Sequence, residues 1–378
     1  MKSFIYLDNS ATTKPCDESV KAITEALNNT WGNPSSLYDF GFKAELILDN
    51  ARDLIADTLN CRSDEIFFTS TGTEANNLCI RGAADALKRR GNKIITTSVE
   101  HPSVLNTVNY LAENGFEVVK ISPENDGNID VNKVISAIDS NTVLISMMYV
   151  NNETGCIFPV KQVAEYIKEQ KLPICLHSDC VQAFGKLPID VEELGANLIS
   201  ASGHKIHGPK GVGFIYKSKK TNIRPIVFGG NQEKGIRSGT ESVPLIAGLL
   251  GAVKALDIKS SLKNTEDLKN YALLKLSAIP EIVVNSPLDG TLPYIINISV
   301  IGFRSETLLH FLESEGIYVS SGSACSKGNG SHVLTEMGLS ADHTDSALRI
   351  SFSRYSKHSD IDALCAALEK AVKTLKRK

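Results

Sequence analysis

The sequence predicts an α/β fold, with a large domain on a mostly parallel sheet and a smaller α+β domain after it. Two patterns carry this reading. Between residues 65 and 217, short apolar, β-branched runs alternate with stretches of helical period. That is the signature of strands buried on both faces and joined by crossover helices. Beyond about residue 258 the rhythm gives way to shorter, mixed elements. A chain of 378 residues has room for two such domains.

The first long element is a helix within SSLYDFGFKAELILDNARDLIADTL, where Ala44, Ile47, Ala51, Leu54, Ile55 and Thr58 share one face. Seven strand runs follow: EIFFTS (65–70), KIITTSVE (93–100), FEVVKIS (116–122), TVLISMMYV (142–150), PICLHSD (173–179), NLISAS (197–202) and GVGFIYK (211–217). Helical stretches such as EANNLCIRGAADALKRR separate most of them. LDIKSSLKN is the expected boundary. After it come YIINISV, ETLLHFLESEG, IYVSSGS, RISFS and a last helix carrying Ile361, Leu364, Leu368 and Leu375.

Composition narrows the class of function. Apolar residues at 42% and charged residues at 22% give an ordinary globular core. A net charge of −3 without a long run of one sign argues against nucleic acid as a partner. The basic end, KTLKRK, suits a solvated helix terminus. MKSFIYLDNSATTKP lacks the apolar core of a signal peptide, and no run approaches the ~20 apolar residues that cross a bilayer. Eight cysteines in such a chain are expected as free thiols in the cytoplasm. The nearest approach to a metal set is Cys175, His177 and Cys180, with His204 and His207 further on. Cys175 and His177 alternate along an apolar strand, so packing is the expected role and no metal is predicted.

In open α/β sheets ligands sit beyond the carboxyl ends of the strands, and four such ends carry chemistry. EIFFTS runs into TGTEANN, where Gly72 and Thr73 open a helix whose free amides suit a phosphate. PICLHSD ends on Asp179, with Gln182 three residues later; a carboxylate there could pair with a pyridinium nitrogen. NLISAS leads to Ser202, His204 and Lys205 in a small-residue turn, and a desolvated lysine amine there suits Schiff-base chemistry. His101 follows KIITTSVE and precedes Pro102, where an imidazole could stack on a planar ring and move protons. Singly each is weak; together they converge on one sheet edge.

The motifs YLDNSATTKP, GNPSSLYDFG, FTSTGTEANN, EHPSV, NNETG, DCVQAFGK, SGHKIHGPKGVG, RSGTES, SSGSACS and LRISFSRY run from residue 6 to about 355. In this combination the chain resembles the cysteine desulfurases of the NifS/IscS type. These are class V members of the fold-type I pyridoxal-phosphate enzymes. The resemblance implies a large cofactor-binding domain over 14–257 and a small one made of 1–13 and 258–378. It implies pyridoxal 5'-phosphate as cofactor, with Lys205 as the Schiff-base lysine, His101 stacked on the ring and Asp179 at the ring nitrogen. Asn152 and Gln182 would make the ring's other polar contacts. Gly72, Thr73, Ser202 and His204 would hold the phosphate, joined by Thr240 from the other subunit of a homodimer. Asn33, Asn152 and Arg349 would bind the carboxylate of L-cysteine.

The cysteine in SSGSACS then acquires a purpose. Small residues and glycines around Cys325 predict a hinge. The resemblance implies that Cys325 takes the substrate sulfur as a persulfide, releases L-alanine, and passes the sulfur to an acceptor protein. That acceptor would serve iron–sulfur cluster assembly or tRNA thiolation. Cys180 stands beside Asp179 where the family often has alanine. A selenocysteine lyase or another class V aminotransferase would not need Cys325, and a non-catalytic cofactor-holding subunit would not need Lys205, His101 and Asp179 together.

Overall fold

The computed structural model describes residues 4–322 and 330–378. Its centre is a seven-stranded sheet ordered Ile66–Thr69, Gly213–Lys217, Leu198–Ser202, Cys175–Asp179, Thr142–Ser146, Lys93–Thr97 and Glu117–Ile121. All seven correspond to the runs expected from the sequence. Gly213–Lys217 pairs antiparallel with both its neighbours, whereas the pairings from Leu198–Ser202 to Glu117–Ile121 are parallel. Six strands therefore run in one sense, and their carboxyl ends share one edge.

One strand is shorter than its apolar run. TVLISMMYV pairs only over Thr142–Ser146, because the Met148 N–H donates to both carboxylate oxygens of Glu100, at 2.9 and 3.0 Å. That bond turns the chain out of the ladder with Lys93–Thr97. The helix Asp39–Leu59 buries Ala44, Ala51 and Ile55 as expected, and adds Leu48, Ala56 and Leu59. Ile47, Leu54 and Thr58 are only half-buried, so the inward stripe lies slightly round the helix from the expected face. The helix ends at Asn60 in the left-handed region, with the Cys61 N–H returning to the Ala56 carbonyl at 2.9 Å.

The remaining strands form two small sheets. Ala347–Ser351, Ile295–Val300 and Ile282–Val284 pair antiparallel, and Ile5–Tyr6 pairs parallel with Ile317–Tyr318. Leu7 joins Leu268, Ile298, Leu308, Leu348 and Leu368 in one apolar cluster, so the amino-terminal strand packs with the carboxyl-terminal part of the chain. The largest cluster also takes in Tyr294, Ile295, Leu334 and Ala347, which ties the small sheets to the large one. Through this contact, Arg349 on Ala347–Ser351 faces the polar edge of the seven-stranded sheet.

Candidate active site

That edge opens into a cavity of about 290 Å³. Its lining includes Gly72, Thr73, His101, Asn152, Asp179, Gln182, Ser202, His204, Lys205 and Arg349. Five strand ends supply nine of these residues, and the small sheet supplies Arg349. Two expected residues lie elsewhere. Thr240 is exposed and borders a separate small cavity, while Asn33 is exposed and accepts a hydrogen bond from the Ser35 N–H at 3.0 Å. Cys325 lies outside the described residues.

At one wall of the cavity the helix Gly72–Leu87 begins, capped by Thr71, whose hydroxyl oxygen accepts from the Glu74 N–H. A Cβ on Gly72 would stand 3.0 Å from the Val181 Cγ2 and 3.3 Å from the Ser202 Cβ. A glycine lets the helix start come this close to Ser202 without displacing Val181 or Ser202. The backbone amides of this first turn and the Ser202 hydroxyl therefore share one small concavity, a donor set suited to a phosphate.

Asp179 and His101 are locked to each other by a residue the sequence reading missed. Asn76 donates to the Asp179 carboxylate at 2.7 Å and to the Ser103 hydroxyl at 2.8 Å. Ser103 presents both its backbone N–H (3.1 Å) and its hydroxyl (2.7 Å) to the His101 Nδ1. The Asn76 Oδ1 accepts from Ser200, which is bonded in turn to the buried His177. With Nδ1 as acceptor, the neutral His101 ring carries its proton on Nε2. Burial above all pushes His101 down, helped by Lys205 and His332 and opposed by Asp179. Its imidazole is thus held neutral near pH 7. His177 bonds to Ser146 at 2.9 Å and is pushed down to about 3 by burial, so it serves as packing for this network.

Lys205 donates to the carbonyls of Ser10 and Ala11, at 2.5 and 2.9 Å. His204 meets the Thr12 hydroxyl at 3.1 Å and is pushed down to about 3, first by burial and then by Lys205. Across the cavity the Arg349 guanidinium is 1% exposed. It donates to the Asn152 carbonyl at 3.0 Å and to Asp8 at 2.8 Å, while its Nε is buried without a partner among the described residues. Such an orphaned donor is costly unless a ligand meets it. Asp8 is the second residue that sequence reasoning missed.

Glu100 adjoins this network and gives a stability test. Burial pushes its carboxyl up to about 8, against the hydrogen bonds from Met148 and Thr97. The fold therefore keeps the proton that the unfolded chain loses near pH 4.5, and stability falls as pH rises from there until the folded group ionises at about 8. Glu100→Gln keeps the acceptor oxygen and removes the ionisation. Its melting temperature relative to wild type is expected to climb between pH 5 and pH 8 and then level off. A difference that does not change with pH would place the proton elsewhere.

Residues 5–364 match the model of the aminotransferase class-V family. A cysteine desulfurase IscS of Dictyoglomus turgidum is 37% identical over the whole of this chain and 96% of its own length. A putative cysteine desulfurase IscS 1 of Bacillus subtilis is 41% identical over 92% of this chain and 93% of its own. Among solved structures, a NifS-like protein superposes with a TM-score of 0.93 at 34% identity, covering 99% of this chain and 100% of its own.

Proposed function

The chain belongs to the aminotransferase class-V family, and from that premise we propose that it is a cysteine desulfurase, converting L-cysteine to L-alanine and passing on the sulfur. One observation carries the reading: a single cavity is lined by Lys205, Asp179, His101 and a helix amino-terminus, with Arg349 opposite them. The test is direct. Purified protein mixed with L-cysteine and a thiol should release alanine and sulfide in equal amounts. Alanine without sulfide, or neither, would overturn it.

The donor set fits pyridoxal 5'-phosphate. The amides of Gly72 and Thr73, with Ser202 and His204, would hold the phosphate; Asp179 would meet the ring nitrogen; and Asn152 and Gln182 would meet the remaining polar edge. Pyridoxal phosphate, when bound, supplies a ring that withdraws electrons from the substrate's Cα. The other roles fall to this chain's residues. His101, held neutral, would cover the ring face and shield it from water. The Lys205 Nζ would move the proton at Cα. The Cys325 thiolate would attack the substrate sulfur; the carbon–sulfur bond breaks with its electron pair left on carbon, and protonation there completes alanine.

Arg349 would orient the substrate through its carboxylate. Arg349→Lys keeps the charge but not the fork, and Arg349→Ala loses both. Losing a charge-assisted hydrogen bond costs ~1.5–3 kcal/mol, so the alanine variant should raise the KM for cysteine roughly ten- to hundredfold while still taking up cofactor. An unchanged KM would remove Arg349 from the substrate site.

We read the working unit as a homodimer with the site shared across its interface. In support, residues 31–46 expose Trp31, Leu37, Tyr38, Phe40, Phe42 and Leu46, apolar side chains that a second subunit would cover. Asn33 sits within that stretch, and Thr240 is exposed, as residues reaching a neighbouring subunit would be. The division at 257/258 stays part of this reading. Among the described residues no helix is long and apolar enough to cross a membrane, and the described cysteines are unpaired, in keeping with an enzyme of the cytoplasm. The sulfur acceptor would be a protein of iron–sulfur assembly or tRNA thiolation.

A further inference from the structure

One residue of DCVQAFGK has no part in the roles above. Lys186 is 5% exposed, yet its charge meets no carboxylate among the described residues. It lies four residues after Gln182 in a run of turns, and Gly185 within that run has a φ of +72° and a place that admits no Cβ, since one would stand 2.7 Å from the Ile206 Cγ2. This stacks the two side chains, and the Lys186 Nζ donates to the Gln182 Oε1 at 2.9 Å.

We propose that Lys186 is a positioning residue of the cofactor site, fixing the Gln182 amide with its nitrogen toward the cavity. The Ser10 carbonyl can only accept and a protonated Lys186 can only donate, so the amide oxygen faces Lys186 and the amide nitrogen faces Ser10. The Gln182 Nε2 then points the other way, donating to the Ser10 carbonyl at 3.0 Å and keeping a second N–H for a ligand. That ligand atom has to be an acceptor, which the phenolic oxygen of pyridoxal phosphate is. The inference thus rests on the cofactor reading above.

The surroundings agree with a site waiting for an anion. The groups facing Lys186 are Lys205 from the turn after Leu198–Ser202, Arg349 from Ala347–Ser351, and the ring of Tyr294 at 5.8 Å. His204 and His207 also feel its charge and are pushed down. Burial first, then Lys205 and Arg349, push Lys186 itself down to about 7. An anionic phenolate would offset the charges of Lys186 and Lys205 together.

The test uses cofactor-free protein and pyridoxal phosphate as the probe, with the dissociation constant from equilibrium dialysis and the pH titration of the yellow band as readouts. Lys186→Met replaces a buried cation by an apolar chain of similar length, a change folds commonly tolerate. We expect roughly tenfold weaker binding, the size of one hydrogen bond to a charged group, and a band that titrates at higher pH. Gln182→Ala should do the same, and the double variant should bind no more weakly than Gln182→Ala alone. Wild-type binding and titration in Lys186→Met, or losses that add in the double variant, overturn this inference and leave the desulfurase reading intact. A wild type that takes up no pyridoxal phosphate overturns both.

Discussion

Lys205→Ala is expected to end alanine formation from L-cysteine, with a fall of at least ~10³-fold, in the upper part of the range for losing a general acid–base residue. The amine is assigned two tasks, the reversible covalent hold on the cofactor and the proton at Cα, and alanine does neither. The variant should still fold, because the contacts it gives up, among them hydrogen bonds to the carbonyls of Ser10 and Ala11, lie at the wall of an open cavity. Water can take their place there. Wild-type protein treated with borohydride should keep the cofactor through denaturation, and the variant should lose it. A wild type that stays colourless with pyridoxal phosphate, or a variant that still retains the reduced cofactor, would remove Lys205 from its role.

Cys325→Ser should divide the reaction into halves. Lys205, Asp179 and the phosphate-binding turn are untouched, so the variant should bind pyridoxal phosphate and L-cysteine as wild type does. A serine hydroxyl stays protonated near pH 7 and is a poor nucleophile toward sulfur, whereas an ordinary thiol near pKa 8.5 already has some thiolate. Alanine release from cysteine should therefore nearly stop, and the gain of one sulfur seen on the wild-type peptide that carries Cys325 should vanish. Selenocysteine serves as the control, its weaker carbon–selenium bond allowing cleavage without the thiolate. If the serine variant makes alanine from cysteine at the wild-type rate, sulfur does not pass through Cys325, and the lyase or aminotransferase reading takes over.

The strands were legible because burial on both faces leaves unbroken apolar runs, and the site was legible because reactive residues stand where those runs stop. What was not legible depended on contacts across the chain. The strand from Thr142 ends at Ser146 and not at Val150 because Glu100, far back in sequence, claims the Met148 N–H. Asp8 meets Arg349 across 341 positions, and nothing in YLDNSATTKP marks it as a partner. Asn76 did leave a trace. It shares a helical face with Cys79, Ile80 and Ala83, all buried, and a lone amide on such a stripe signals a buried hydrogen-bond hub. Thr240 and Asn33 were read from motifs alone, and within one chain they stay apart from the cavity.

The thiols of Cys16, Cys61, Cys79, Cys156, Cys175, Cys180 and Cys365 are all pushed upward, each chiefly by burial. Cys156 and Cys365 reach about 11, and Cys61 and Cys175 about 12. Six of them are buried and Cys61 is half-buried; an enzyme that generates reactive sulfur has to avoid sulfurating itself at random, and thiols held protonated in this way are chemically silent at neutral pH. The chain holds eight cysteines, so the whole native protein can be labelled with an alkylating reagent and its mass read without digestion. A single adduct at pH 7, heavier by one sulfur when L-cysteine is added first, would report the loading of Cys325 against a background that the fold itself keeps dark.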